Sequence, residues 1–595
     1  MAKQGTFLCL ACNNYCFRGV EMFGQIIKVF TKNRVCFITY LLMLIMSNVY
    51  LGFYIKKYVV AREPDYTCYD ILMPCQWLSI IAFLLFLVIS YELLSMFNID
   101  GINEISLLYL RRKQDIIITV LLFICALVYY FTIALWVLFA LSKYDNADAA
   151  VYINAVKYVT LYFLIADMIA ILEGTVIATV KTRGKAFVII AITAIMVTPV
   201  LTMIVDSVST LKFDLYAFSK WFYILPQNIT WGQNPYCQYY VDWYDYFLEM
   251  MWLGLLLLIL ILNKSKPGLT KSISTALLIL VIAVAGFFGS HNNNGFVNAW
   301  DVNRSAAGHC YLYYETHPNK EEAAGYEISE YDMRLRFNDK MYADVAVSID
   351  DDSLSDYRFT LYHQYKIKSI TNANGEKLEY DRDSDYIDVR SSGDMRTISF
   401  SYCGDAAGFY SAGDNVYLPG YFCYYPRAGY QSVYDYDNRI FTYNELNETL
   451  FHVIIDSDTT IYCNLPEKKK REFSGKSNGL QLVSGELAQM TYKDVRVIYP
   501  YAGMNILYSS EAVKTGVDRM IDSYDGADYD VSGKTVFLSP RINSSRSYTF
   551  YSDFMELKDF EDGIEGPYNY YKYYQKNRTN LPECYFIQLE DVDYE

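Results

Sequence analysis

The first 290 residues are a succession of long apolar runs separated by short polar breaks, and the rest of the chain changes to a different period. A bilayer crossing needs about 20 mostly apolar residues. Seven runs approach or exceed that length, at 35–56, 76–97, 115–142, 152–179, 186–207, 247–263 and 271–290. They predict a membrane α-helical bundle of about seven transmembrane helices. From about 326 the pattern becomes short alternating segments such as "DMRLRFND", "ADVAVSIDD" and "TISFSYCG", rich in β-branched and aromatic residues and broken by Asn-Gly and Ser-Gly. That alternation predicts a mainly β domain, a sandwich or saddle. One later stretch, "EAVKTGVDRMIDSYDG", has helical spacing.

Charge divides the chain at the same place. Residues 1–290 carry a net +4 and residues 291–595 a net −19, within an overall −15. The acidic half has no basic footprint of the kind nucleic acid requires, so no nucleic-acid partner is expected. Lys and Arg mark cytoplasmic loops. With the N-terminus inside, every inner segment holds at least three: Lys28, Lys32 and Arg34; Arg111, Arg112 and Lys113; Lys181, Arg183 and Lys185; Lys264, Lys266 and Lys271. Seven crossings of the plasma membrane then carry the β domain outside the cell. Eight cysteines fall on that side, where disulfides persist, and Cys68 with Cys75 in one short loop is the first candidate pair. Within the crossings, Asp167 and Glu173 are the deepest ionisable residues, six apart and so on different helical faces. Glu92, Asp206 and Glu249 fall near predicted ends, where interfacial placement is expected.

The stretch before the first crossing, "MFGQIIKVFTKNR", puts Met22, Phe23, Ile26, Ile27 and Phe30 on one helical face, the pattern of an interfacial helix. The loop after the second crossing reads "DGINEISLLYLRRKQD", in which Glu104 begins a short helical pattern closed by the basic cluster. A positive cluster at a helix C-terminus suits the macrodipole. This order resembles the permease subunits of type-2 ABC exporters, over roughly residues 22–290. In that family an elbow helix precedes the first crossing, and a coupling helix in the first cytoplasmic loop docks on a separate ATPase. The resemblance rests on Asp100, Gly101, Glu104, Leu107, Leu108, Leu110 and Arg111; the family's Pro is absent and the seventh crossing exceeds its usual six. It implies that Glu104, Leu107, Leu108, Arg111 and Arg112 couple to a cytoplasmic ABC ATPase. It also implies ATP and Mg on that subunit and a second permease half beside this one. The chain has no G-x-x-x-x-G-K-[ST] phosphate loop of its own.

The outer half resembles the N-terminal, non-catalytic β domain of aminopeptidase N-type metallopeptidases. The resemblance runs through Leu361–Ile370 with Asn374, Gly375 and Leu378, then Ile398–Tyr402 with Gly404, "GYFCYYPRAG", "FHVIIDSDTTIYCNLP" and "VRVIYP". The family's zinc motif HExxH places two His on one helical face with Glu as base. None of the five histidines here, His291, His309, His317, His363 and His452, lies in such a motif, so an inactive peptidase-like domain is expected and no enzyme activity.

The expected organisation is a cytoplasmic tail and elbow at 1–33, a permease domain at 34–290, a linker at 291–325, the β domain at 326–510 and an α/β or irregular extension at 511–595. The expected function is an ATP-driven exporter's permease, coupled through the 98–114 loop, with the outer domain recognising substrate or partner. The competing expectation is a membrane-anchored receptor or adhesion protein, indifferent to that loop.

Overall fold

The computed structural model describes residues 33–60, 71–99, 111–144, 149–180, 182–208, 215–226, 241, 243–264, 268–289, 313–338, 340–404, 406, 409–412, 415–436, 440–444, 447–457, 459–485, 487–500, 510–524, 531–538 and 548–557. The first half is helical, with several long apolar helices, and the second is mainly β. Helix α1, Arg34–Tyr54, starts where the Asn33 side chain accepts from the Cys36 N–H at 3.4 Å, and it runs on into a π turn, Ile55–Val60. Then come α2, Leu72–Ile99, and α3, Arg111–Leu141. Helix α4, Ala149–Val159, passes through a second π turn, Thr160–Ile165, into α5, Ala166–Ile177. Helices α6, Arg183–Val197, and α7, Pro199–Val208, meet at a bend of 71°. Pro199 explains it: proline lacks an N–H and pushes the preceding residue out of helical conformation, and Thr198 is extended at φ −101° and ψ 168°. Helices α8, Trp243–Lys264, and α9, Leu269–Gly289, complete the half.

Six helices among the described residues are long and apolar enough to cross a membrane, or seven if the bent pair is one span. Small residues let α2 and α5 approach closely. A Cβ on Gly174 would lie 2.6 Å from the Leu87 carbonyl oxygen and 2.8 Å from the Ser90 Cβ. Ser90 uses that proximity, donating to the Ile171 carbonyl at 2.7 Å. The outward faces stay apolar: Leu269, Val35, Leu135 and Phe53 are among the most exposed large hydrophobic residues.

The β half is built around a seven-stranded sheet, in the order 467–469, 472–477, 449–456, 328–337, 341–349, 397–404 and 366–371. Ile328–Phe337 pairs antiparallel with Met341–Ile349 and parallel with Thr449–Asp456, so the sheet is mixed. Burial alternates along Ile328–Phe337, placing Tyr331, Met333, Leu335 and Phe337 inward and the residues between them outward. Two four-stranded sheets share the same core. A five-stranded sheet follows, in the order 487–492, 495–500, 535–538, 554–557 and 548–550. Helix α10, Ser510–Tyr524, lies between two of its parallel strands, Val495–Pro500 and Thr535–Leu538. Its Val513, Val517 and Met520 pack against Val495, Val497, Val536 and Leu538. The boundary expected at 510 therefore falls inside one α/β unit, between a strand and the helix that covers it.

Candidate functional site

The residues expected to couple to an ATPase are only partly in view. Glu104, Leu107 and Leu108 lie outside the described residues, and Arg111 and Arg112 are the first two residues of α3. The short helix that the basic cluster was expected to close, and the residues before Arg111, lie outside the described residues. Cys75 is a free thiol, wholly buried in α2, and its expected partner Cys68 lies outside the described residues.

The acids within the apolar helices turn to different neighbours. Glu173 accepts a 2.5 Å hydrogen bond from Thr193 of α6. Asp167 is fully buried in the bundle core, and neither of its carboxyl oxygens has a hydrogen-bond partner. Its charge is within electrostatic reach of Tyr129, whose hydroxyl lies 2.9 Å from Ser47 on α1. Glu92 pairs with Arg183 of α6 at 2.8 Å, and both stay partly exposed.

Glu249 departs most from the sequence expectation. It is 2% exposed, and both of its oxygens are buried without a partner. Asp245, one turn earlier on α8, is 5% exposed. The two share a face by the four-residue spacing. Helix α8 packs on α5 and on the π turn between α4 and α5, which brings both acids into electrostatic reach of Tyr162 and Tyr246. Tyr162 and Tyr158 meet in a T-shaped arrangement, centroids 4.7 Å apart. Tyr246 donates to the Lys157 carbonyl at 3.0 Å, and Thr160 within the π turn lies 3.1 Å from the Tyr130 hydroxyl. π turns recur at functional sites because they displace side chains from the regular helical register. The signal available in the sequence was the spacing of Asp245 and Glu249 within "WYDYFLEMMW", which a helix start at 247 obscured.

The β half holds a different kind of polar cluster. Asp385, with no exposed surface, accepts from the Tyr314 hydroxyl at 2.6 Å and the His363 backbone N–H at 2.6 Å, with the His363 Nδ1 3.0 Å away. Tyr313 is stacked between His317 and His363, at centroid distances of 4.2 and 3.7 Å. Arg382 donates to the carbonyls of Leu361, Tyr362 and Ser384, each at 3.0 Å, and burial pulls its pKa below the usual arginine value. This is a scaffold that fixes a corner of the domain. Beside it, an open cleft of about 640 Å³ includes Glu315, Glu321 and Asp435 in its lining. Among the described residues, no group of three or more His, Cys, Asp or Glu is placed to hold a metal ion.

No protein-family model matches the chain, and no curated protein matches it. Solved structures resemble it in part. The M1 zinc metallopeptidase from Deinococcus radiodurans is 12% identical over 42% of this chain and 64% of its own, with a TM-score of 0.32. Native yeast LTA4 hydrolase is 8% identical over 41% and 44%, with a TM-score of 0.30. The chain thus spans less than two thirds of either structure, and the likeness concerns part of the fold.

Proposed function

We propose that the chain is the permease subunit of an ATP-driven exporter in the plasma membrane, working with a separate cytoplasmic ABC ATPase and a second permease half. The apolar helices cross the bilayer with the N-terminus inside. The 98–114 loop, through Glu104, Leu107, Leu108, Arg111 and Arg112, receives the ATPase, which carries ATP and Mg. The acidic β domain lies outside and recognises substrate or partner without peptidase chemistry. Residues 34–290 form the permease and 326–595 the outer half, in which one α/β unit bridges position 510.

The single observation that supports transport over anchoring is the interior of the helical half. Buried carboxyls without partners, as at Asp167 and Glu249, are costly, and an anchor has no use for them; intramembrane acids more often mark a substrate or ion path.

The test is copurification of the tagged chain from mild detergent, beside a variant carrying Glu104→Ala and Arg111→Ala. An ATPase recovered with the wild type and lost with the variant supports the permease reading. Recovery of no ATPase under conditions that preserve membrane complexes points instead to an anchored receptor or adhesion protein.

A further inference from the structure

We infer that Asp245, Glu249, Tyr158, Tyr162 and Tyr246 form an occluded binding site for an organic ammonium cation within the helical bundle. The argument begins with Glu249. A carboxyl with both oxygens buried and unpartnered is stabilised only by holding a proton or by meeting a cation that the fold does not supply. A second carboxyl, Asp245, lies one turn away on the same face and within its electrostatic reach. Two acids so placed in an apolar bundle repel one another at low dielectric, and a positive charge between them turns that repulsion into attraction.

The remaining walls select the kind of cation. A hard metal ion takes six or more oxygen ligands, or keeps several waters. Here the neighbours of the acids are tyrosines. The negative faces of aromatic rings attract ammonium groups, and attract them most where water is excluded. Tyr158 and Tyr162 are 4% and 2% exposed and meet in a T-shaped contact, and Tyr162 lies within electrostatic reach of both carboxyls. The π turn at Thr160–Ile165 sets Tyr162 in this position. One carboxylate for charge, a second to share a proton, and ring faces for the alkyl shell match an amine or quaternary ammonium group better than sodium or potassium. The site is closed to solvent in this conformation, so entry requires α8 to separate from the π turn.

The permease reading enters only in calling the bound cation a cargo. Binding is read on the chain alone, so failure to recover an ATPase and failure to bind an ammonium ion are separate results. The experiment is thermal unfolding of the full-length protein in detergent, followed by tryptophan fluorescence. Six of the seven tryptophans lie within residues 1–290 and the seventh is Trp300, so the signal reports chiefly the helical half, and Trp252 is three residues from Glu249. The probes are tetramethylammonium and benzylammonium chlorides, with sodium chloride at matched ionic strength.

The expected result is a saturable upward shift of roughly 5 °C at a hundredfold excess over Kd, absent with sodium. Glu249→Gln should abolish the shift while raising the basal transition, since it removes the lone carboxyl but keeps the shape. Tyr162→Phe should retain binding through its ring, and Tyr162→Leu should weaken it by roughly tenfold. A shift equal in sodium, an equal shift in Glu249→Gln, or no saturable shift with either ammonium probe overturns the proposal.

Discussion

Arg427 offers the sharpest test of how the β half is held together. It has no exposed surface, and no described salt bridge gives it a carboxylate. Its guanidinium donates instead to three backbone carbonyls, of Asn444 at 2.9 Å, Gly420 at 2.6 Å and Phe422 at 3.1 Å, and lies 5.2 Å from the Tyr425 ring centre. Replacing it with Met keeps much of the volume and removes all three bonds. Charge-assisted bonds contribute roughly 1.5–3 kcal/mol each, so the gross loss is about 4–9 kcal/mol. Relief from burying the guanidinium returns several kcal/mol of that, leaving a net destabilisation of about 3–5 kcal/mol. Hydrogen–deuterium exchange of the peptides covering Met341–Ile349 and Thr449–Asp456 reads this directly. Exchange should accelerate by roughly 150- to 5000-fold where it proceeds through opening of the domain. Tryptophan fluorescence of the helical half serves as an internal control, because residues 326–595 contain no tryptophan. Arg427→Lys should rescue only in part, since an ammonium lacks the planar fork that reaches several carbonyls at once. Unchanged or slower exchange in Arg427→Met would show that the desolvation cost outweighs the three bonds, and the reasoning would fail.

Gly174→Ala should destabilise the helical half by about 1–3 kcal/mol, because its Cβ meets backbone at Leu87; a tryptophan-detected melt measures the loss, and a neutral result would mean that α2 and α5 separate freely. Glu92→Gln should change stability by about 1 kcal/mol or less, its ion pair with Arg183 being partly solvent-screened; a larger loss in the same melt would refute that. Asp553 gives a pH prediction. Burial raises its pKa above the ordinary 3.8, against the lowering effect of bonds from Ser477 and Asn464. Its contribution is therefore complete below the unfolded value and declines as pH rises through the folded one. Asp553→Asn should remove that decline from the exchange profile of Phe554–Leu557 between pH 4 and 8, and an unaltered slope would exclude Asp553 as its source.

The long apolar runs were legible because a minimum length leaves few alternatives: the run expected at 152–179 appears as the span Val151–Ile177. Termini were less so, and the difference matters chemically. Helix α8 starts at Trp243, four residues before the expected 247; that extra turn adds Asp245 to the helix, and Glu249, expected at an interface, is buried with it. The bend at Pro199 was written in the residue itself, yet apolar periodicity on both sides hid it. Strand alternation foretold a β half, and the "EAVKTGVDRMIDSYDG" spacing foretold α10. Sheet order could not be read, because the parallel pairing of Ile328–Phe337 with Thr449–Asp456 joins segments distant in sequence, and nothing local in either strand specifies its neighbour.

The 71° bend also decides which side of the membrane the β half would occupy. If α6 and α7 form one span, there are seven crossings and the two ends of the helical half lie on opposite sides. If the pair enters and returns on one side, there are six, and the β half shares a compartment with the N-terminus. The lysines weigh between these. With Lys181, Arg183 and Lys185 inside, a returning pair would put the short loop with Lys264, Lys266 and Lys271 outside, against the positive-inside rule. A spanning pair keeps both clusters inside, so the charges favour seven. Single cysteines at Ser265→Cys, in that loop, and Ala373→Cys, an exposed position of the β half, separate the cases when intact cells are treated with a membrane-impermeant maleimide and native labelling is subtracted. Seven crossings predict a shielded residue 265 and a labelled residue 373. The opposite pattern would make the bent pair re-entrant and place the acidic β half on the same side as the N-terminus and the 98–114 loop.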